Sequence, residues 1–265
     1  MNSQHDIWRL PSGQPTLEPS EIHIWRVCLD RERASARDLF EVLSADEKQK
    51  AGKYHFEQDR DNFVVARGIL RQILGGYLDI LPGEIRFSYN RYGKPALDIG
   101  MNADGLRFNM SHSNGLVLYS VAREQEVGID IEYIDDSFTI RPVAATCFSP
   151  SEMSMLDELP SDRQPAAFFT GWTRKEAYIK AIGEGVSMPL KEITVSLLPD
   201  DVRISMTPND RSETRTWSLV TLPFESDYAA ALAAEGSIER LFYWQWPENY
   251  KSVLMPQMGA ALQGI

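Results

Sequence analysis

The 265-residue chain has 43% hydrophobic and 25% charged residues, an ordinary globular composition with apolar content for one large core or two smaller ones. A net charge of −11 argues against broad nucleic-acid binding, and no apolar run approaches the length of a membrane span. Two cysteines, Cys28 and Cys147, give neither a disulfide framework nor metal-ligand spacing, so a reducing cytoplasm is expected, with packing as their role.

Met1 to Glu21 is polar and punctuated by Pro and Gly, without the basic start and apolar core of a secretory signal. Glu21 to Leu29 alternates as a strand. Ser44-Ala-Asp-Glu47 is a capping-box signature for a short helix carrying Lys48, Lys50 and Lys53. From Phe56 to Leu78, Phe63, Ala66, Leu70, Ile73, Leu74 and Tyr77 recur at helical spacing, with Arg60, Arg67 and Arg71 as a basic stripe beside them. Gly75-Gly76 weakens that helix near its end. Between Asp46 and Lys94 there are nine Lys/Arg against seven Asp/Glu, a small basic excess in an acidic chain. Strands are expected at Ile85 to Tyr89 and Leu116 to Ala122. The latter is followed by the turn Arg123-Glu-Gln-Glu126 and a strand Val127 to Ile134, which together read as a hairpin.

Further on, helices are expected around Ser151 to Leu159 and Pro165 to Ile182, the second stopped by Gly183 and Gly185. Strands follow at Glu192 to Leu198, Val202 to Met206, Trp217 to Leu222 and Tyr228 to Ala234. The pattern is α/β alternation in two comparable halves. The expected division is 1–125, 126–238 and a tail, 239–265, that contains Tyr243-Trp-Gln-Trp246 and has no evident role.

The chemistry concentrates in Gly128-Ile-Asp-Ile-Glu132 and Trp172-Thr-Arg-Lys-Glu-Ala-Tyr-Ile-Lys180. Residues two apart on a strand face one side, so Asp130 and Glu132 point together while Ile129 and Ile131 are buried opposite. Residues four apart on a helix are neighbours, so Glu176 and Lys180 share a face with Trp172 one turn earlier. Each pair alone has a bland reading, a solvated strand end or a surface ion pair. In conjunction, on a helix rich in aromatic residues, charges at an apolar boundary call for partners. Three carboxylates with a lysine suit a hard cation and an anionic substrate, and Mg²⁺ is the natural candidate.

These two segments, paired in this order, resemble the 4'-phosphopantetheinyl transferases, and more narrowly the long, two-half, surfactin-synthetase-activating type. Arg91-Tyr-Gly-Lys94-Pro95 and Phe108-Asn-Met-Ser111-His112-Ser113 are similar to two further segments of that family, and the likeness runs from about Lys48 to about Ala234. The resemblance implies an α+β pseudo-dimer of two similar halves, each a small antiparallel sheet with a long helix, and a site between them. It implies transfer of 4'-phosphopantetheine from coenzyme A to a serine of an apo carrier protein, acyl or peptidyl, of fatty-acid, polyketide or non-ribosomal-peptide synthesis, releasing adenosine 3',5'-bisphosphate. Asp130, Glu132 and Glu176 would hold Mg²⁺, with Mn²⁺ the other candidate. Glu176, or a water that it orients, would take the serine proton, and Lys180 would contact the pyrophosphate. Ser111, His112, Lys94, Arg60 and Lys48 would face the remaining phosphates of coenzyme A. Ile134, Phe138 and Ile140 are the expected carrier-docking residues. A two-half chain can complete its site as a monomer, and neither nucleic acid nor membrane is an expected partner. The alternatives are a catalytically silent carrier-binding module and another Mg²⁺-dependent phosphotransfer enzyme. Against the commonest form of the latter, the sequence has no Gly-x-x-x-x-Gly-Lys-Ser/Thr loop.

Overall fold

Residues 7–101, 105–185, 189–198, 204–206, 216–224, 227–248 and 250 are described in the computed structural model. β1 (Glu21–Cys28) sends Trp25 and Val27 to one side and Ile22 and Ile24 to the other, and all four are fully buried. Two short helices, α1 (Leu29–Glu32) and α2 (Ala36–Glu41), follow. α3 (Ala45–Ala51) begins at the expected capping box, in which Ser44 and Glu47 each serve the other's backbone N–H. α4 (Glu57–Leu78) continues through Gly75-Gly76 and stops at Asp79, which takes left-handed backbone angles. At Gly75 a side chain would meet the Ile80 carbonyl at 2.8 Å, so close packing of the helix end explains that glycine.

The small hairpin β2 (Phe87–Tyr89) and β3 (Pro95–Leu97) precedes β4 (Leu106–Ser113) and β5 (Leu116–Arg123). β4 and β5 are joined by Asn114-Gly115, both at positive φ, the two-residue turn that matches the twist of a hairpin. β1, β5 and β4 form an antiparallel unit, and α4 packs on it through Ile69, Leu70 and Ile73 against Trp25, Val27 and Tyr119. The Tyr119 hydroxyl donates to the Ala66 carbonyl at 2.8 Å, pinning helix to sheet.

β6 (Val127–Tyr133) does not complete a hairpin with β5. It pairs antiparallel with β10 (Tyr228–Glu235), which in turn pairs with β9 (Trp217–Thr221). The chain crosses between sheets at Glu124, whose φ is +54. The expected hairpin failed because β6 is apolar on one face and polar on the other, and each face has a different partner. Val127, Ile129 and Ile131 meet Ile22, Ile24 and Leu118 of the first sheet. The opposite face meets α7 (Gln164–Ile182).

α5 (Ile140–Cys147) and α6 (Pro150–Glu158), the latter with its own Ser149/Glu152 capping box, lead into α7. α7 buries Ala177, Tyr178 and Ala181 against Ala231, Ala233 and Leu219. Helix α7 ends at Gly183 in the left-handed conformation, where the sequence places its stop. β7 (Ile193–Val195) and β8 (Ile204–Met206) pair as a separate ribbon, while Val202 lies outside the described residues. The layers therefore run α4, first sheet, second sheet, α7, and the expected α+β class with two sheet-plus-helix halves holds.

The first sheet is not purely antiparallel. β11 (Arg240–Gln245), from the tail, lies parallel to β1, with His23 opposite Phe242 and Trp25 opposite Trp244. The aromatic run of the tail thus packs in the first half. Among the described residues no helix is long and apolar enough to cross a membrane.

Candidate active site at the seam of the two halves

Gly128 fixes where the site forms. A side chain there would collide with the Ala177 carbonyl and the Ala181 amide of α7, so only glycine lets strand and helix backbones touch. That approach brings Asp130, two residues along β6, under Lys180. The Lys180 ammonium donates to Asp130 Oδ1 at 2.6 Å and to Ser111 Oγ at 2.9 Å, and Ser111 Oγ donates to the same Asp130 oxygen at 2.8 Å.

β4 supplies the other wall. Asn109, Ser111 and Ser113 face β6, and their side chains join the two strands where no backbone ladder does. Asn109 Oδ1 accepts from the Ile129 amide at 2.9 Å. Ser113 Oγ accepts from the Tyr133 amide at 3.0 Å and donates to Glu132 at 2.9 Å. Short polar side chains satisfy the strand edges and leave the seam narrow.

Burial pushes the Asp130 carboxyl above its ordinary range, against the pull of Lys180 and Ser111. Glu132 is raised by burial and by Asp130, with the Ser113 hydroxyl and the Trp172 indole opposing as hydrogen-bond donors. Glu176 is raised by burial and then by both other carboxylates, with Lys180 opposing. The three carboxyls thus share one region that is short of positive charge. Asp130 Oδ2 is buried with no hydrogen-bond partner among the described residues. A divalent cation fits these residues, since it would engage that oxygen and relieve the crowding of charge. Among the described residues no group of three His, Cys, Asp or Glu side chains already stands in a metal-holding arrangement. An oxygen-preferring ion that keeps waters and substrate oxygens does not need one preformed.

A cavity of about 620 Å³ in the first half is lined by His112, Lys50, Tyr54, Arg67, Tyr89 and Pro95 among others. His112 is exposed at this cavity, and its imidazole is held below its usual range by partial burial and by Lys180. Ser111 and His112 link it to the carboxylates, being adjacent on β4 and pointing to opposite sides.

Lys48 and Arg60 lie elsewhere. They line a second cleft of about 560 Å³ with Arg37, Phe40 and Asp61, where Lys48 pairs with Glu41 and Arg60 with Glu57 and Asp61. Lys48 and Lys50 are two residues apart on α3, about 200° around the helix, so only one can face the His112 cavity. It is Lys50. Arg67, which donates to Glu47 and to the Tyr89 hydroxyl, faces the cavity from the basic stripe read in the sequence as a helix flank. Arg71 is wholly buried on Glu47 and the Pro82 and Ile85 carbonyls. Lys94 donates to the Ala181 carbonyl and to Glu126. Lys175, also in the motif, is fully buried and donates to Glu152 and to the Cys147, Leu190 and Ile193 carbonyls.

Two family models match consecutive stretches of the chain. One, the 4'-phosphopantetheinyl transferase superfamily, covers residues 126–233, and the other, 4'-phosphopantetheinyl transferase, N-terminal, covers residues 31–124. The chain is 38% identical over 242 residues to the 4'-phosphopantetheinyl transferase HetI of Nostoc sp., covering 91% of this chain and 97% of that one. It is 27% identical over 179 residues to the 4'-phosphopantetheinyl transferase Sfp of Bacillus subtilis, covering 67% and 77%. A solved holo-(acyl-carrier-protein) synthase from Bacillus anthracis, in complex with CoA (3',5'-ADP), overlaps 42% of this chain and 96% of its own at 19% identity and a TM-score of 0.36. With the two models lying end to end across both halves and a relative matched over nearly its whole length, the chain belongs to the 4'-phosphopantetheinyl transferases, the long two-half type.

Proposed function

We propose that the protein transfers 4'-phosphopantetheine from coenzyme A to a serine of an apo carrier protein, with Mg²⁺ held by Asp130, Glu132 and Glu176. The observation that carries this reading is the buried Asp130 Oδ2, without a hydrogen-bond partner among the described residues, beside two further carboxyls and Lys180, next to the His112 cavity. When bound, the cation would neutralise charge on pyrophosphate oxygens. Lys180 reaches the same place from α7 and would steady the leaving phosphate. Glu176, raised by burial and then by its acidic neighbours, is suited to orient a water or to accept the proton of the incoming serine hydroxyl. His112, Lys50 and Arg67 would hold the adenosine-side phosphates by charge-assisted hydrogen bonds. Ser111 holds the Lys180 ammonium in place through its hydroxyl.

The carrier would dock beside Phe138, which is 42% exposed and lies against the Phe168 and Phe169 rings. The test is the intact mass of an apo carrier protein after incubation with the enzyme, coenzyme A and Mg²⁺, in parallel with EDTA and with Glu176→Gln. A gain of one phosphopantetheine, lost in both controls, is expected. No gain on several unrelated carriers, with coenzyme A still bound, would instead identify a silent binding module.

A further inference from the structure

The turn between β2 and β3 has two working faces. On one side Tyr89, Gly93 and Pro95 line the His112 cavity. On the other, the same turn grips the C-terminal end of α7. Asn90 Nδ2 donates to the Gly183 carbonyl at 2.7 Å, and Lys94 Nζ donates to the Ala181 carbonyl at 2.7 Å. Asn90 Oδ1 accepts from the Tyr92 and Lys94 amides, both at 2.9 Å, so the turn is braced by the residue that reaches the helix. The fit is close. A side chain at Gly183 would meet Lys94 Cδ at 3.0 Å and Asn90 Nδ2 at 3.1 Å, and one at Gly185 would meet Tyr92 Cβ at 3.4 Å.

The last carbonyls of a helix lack intrahelical partners and carry its negative end, so a lysine and an amide donor there satisfy both needs. Lys94 is additionally fixed by Glu126 at 2.9 Å, on the crossover between the two sheets, and Glu126 is held in turn by Arg107 at 2.8 Å. The Lys94 side chain is only 17% exposed. Its ammonium is directed at the helix end one residue beyond Lys180, not into the cavity.

We infer that Asn90 and Lys94 form a positioning clamp that couples the cavity-lining turn to α7, so that Lys94 acts on the reaction through the placement of Glu176 and Lys180 and not as a ligand to a substrate phosphate. The inference rests on the phosphopantetheinyl transfer proposed above. α7 is a stiff rod between Glu176 and Gly183, and displacement of its last turn moves Lys180 Nζ away from Asp130 and Ser111. A substrate that fills the cavity presses on the same turn, so binding and alignment are coupled.

The test compares wild type, Lys94→Met and Asn90→Ala with coenzyme A and with 3'-dephospho-coenzyme A as donors. Both variants are expected to lower kcat about tenfold or more with either donor, as misalignment does. Their ratio of kcat/KM between the two donors should stay at the wild-type value. If Lys94→Met keeps kcat and erases the discrimination between donors, the lysine binds the 3'-phosphate and the inference is overturned. Amide hydrogen exchange of Ile179 to Gly183 is measured on the free proteins. Faster exchange is expected in both variants, and unchanged exchange overturns the clamp. Should Lys94→Met not fold, Glu126→Gln removes the charge that holds Lys94 and is read in the same two ways. If wild type transfers nothing from coenzyme A, the proposed function falls, and the exchange measurement still decides the clamp.

Discussion

Burial holds the Glu176 carboxyl above its ordinary range, and its acidic company adds to the effect. It shares its surroundings with Asp130 and Glu132, which repel it. Glu176→Gln keeps the shape and removes the repulsion, so turnover should fall about 10²- to 10³-fold, the usual cost of one preorganised polar group. Thermal stability should hold or rise, and paired turnover and melting curves check both. His23 gives a second residue-scale prediction, remote from the site. Burial lowers its imidazole to about 4, against the opposing pull of Glu21, and its Nδ1 meets the Tyr77 hydroxyl at 2.7 Å. The unfolded chain therefore takes up this proton first, and the contribution of His23 is complete above the unfolded value of about 6.5. It is lost as pH falls from there toward 4. The loss amounts to about 3 kcal/mol, from 1.36 kcal/mol per pKa unit. Denaturant melts at pH 7.5 and 5 should show His23→Gln less acid-sensitive than wild type.

At the scale of elements, two further contacts hold α7. Gly128→Ala places a methyl group where the helix backbone passes, and overpacking of this kind should cost about 1–3 kcal/mol or more, with a lower melting temperature. Lys175 and Glu152 are both fully buried and 2.6 Å apart, and Glu152 also accepts from the Val195 and Ser149 amides. Lys175→Met leaves a buried carboxylate without its cation, at a cost of about 3–5 kcal/mol, while Lys175→Met/Glu152→Leu should recover part of it. Denaturant titration of the single and double variants measures the difference. The elements most legible in the sequence were those with local chemistry of their own. The Ser44/Glu47 box starts α3, and Gly183 ends α7. β4 carries a signal too, since Leu106, Phe108 and Met110 alternate with polar residues before Asn114-Gly115. Local pattern marks neither α5 nor β11. β11 finds its place only by pairing with β1, more than 200 residues away.

For the whole molecule, β11 ties the end of the described chain to its beginning. Removing everything after Ile238 would strip β1 of its parallel neighbour and expose Trp25, His23 and the edge of the first sheet. The truncated protein should melt earlier and aggregate, with β1 amides losing protection in hydrogen exchange while β6 and β10 keep theirs longer. By itself the sequence determined the chemistry on offer: an Asp/Glu pair on a strand, a Glu/Lys pair on a helix, and a Ser-His segment. It did so because periodicities of 2 and 3.6 fix which neighbours share a face. Which side chains actually meet was decided by tertiary structure. Lys50 and not Lys48 turns to the cavity, Lys94 turns to the helix end, and Arg67 leaves the flank to line the cavity. A side chain's destination depends on which way its element is rotated and on what packs across from it. That information lies in contacts between residues far apart in the chain, such as the seam from Asn109 to Ile129 and from Ser111 to Asp130, which no local pattern encodes.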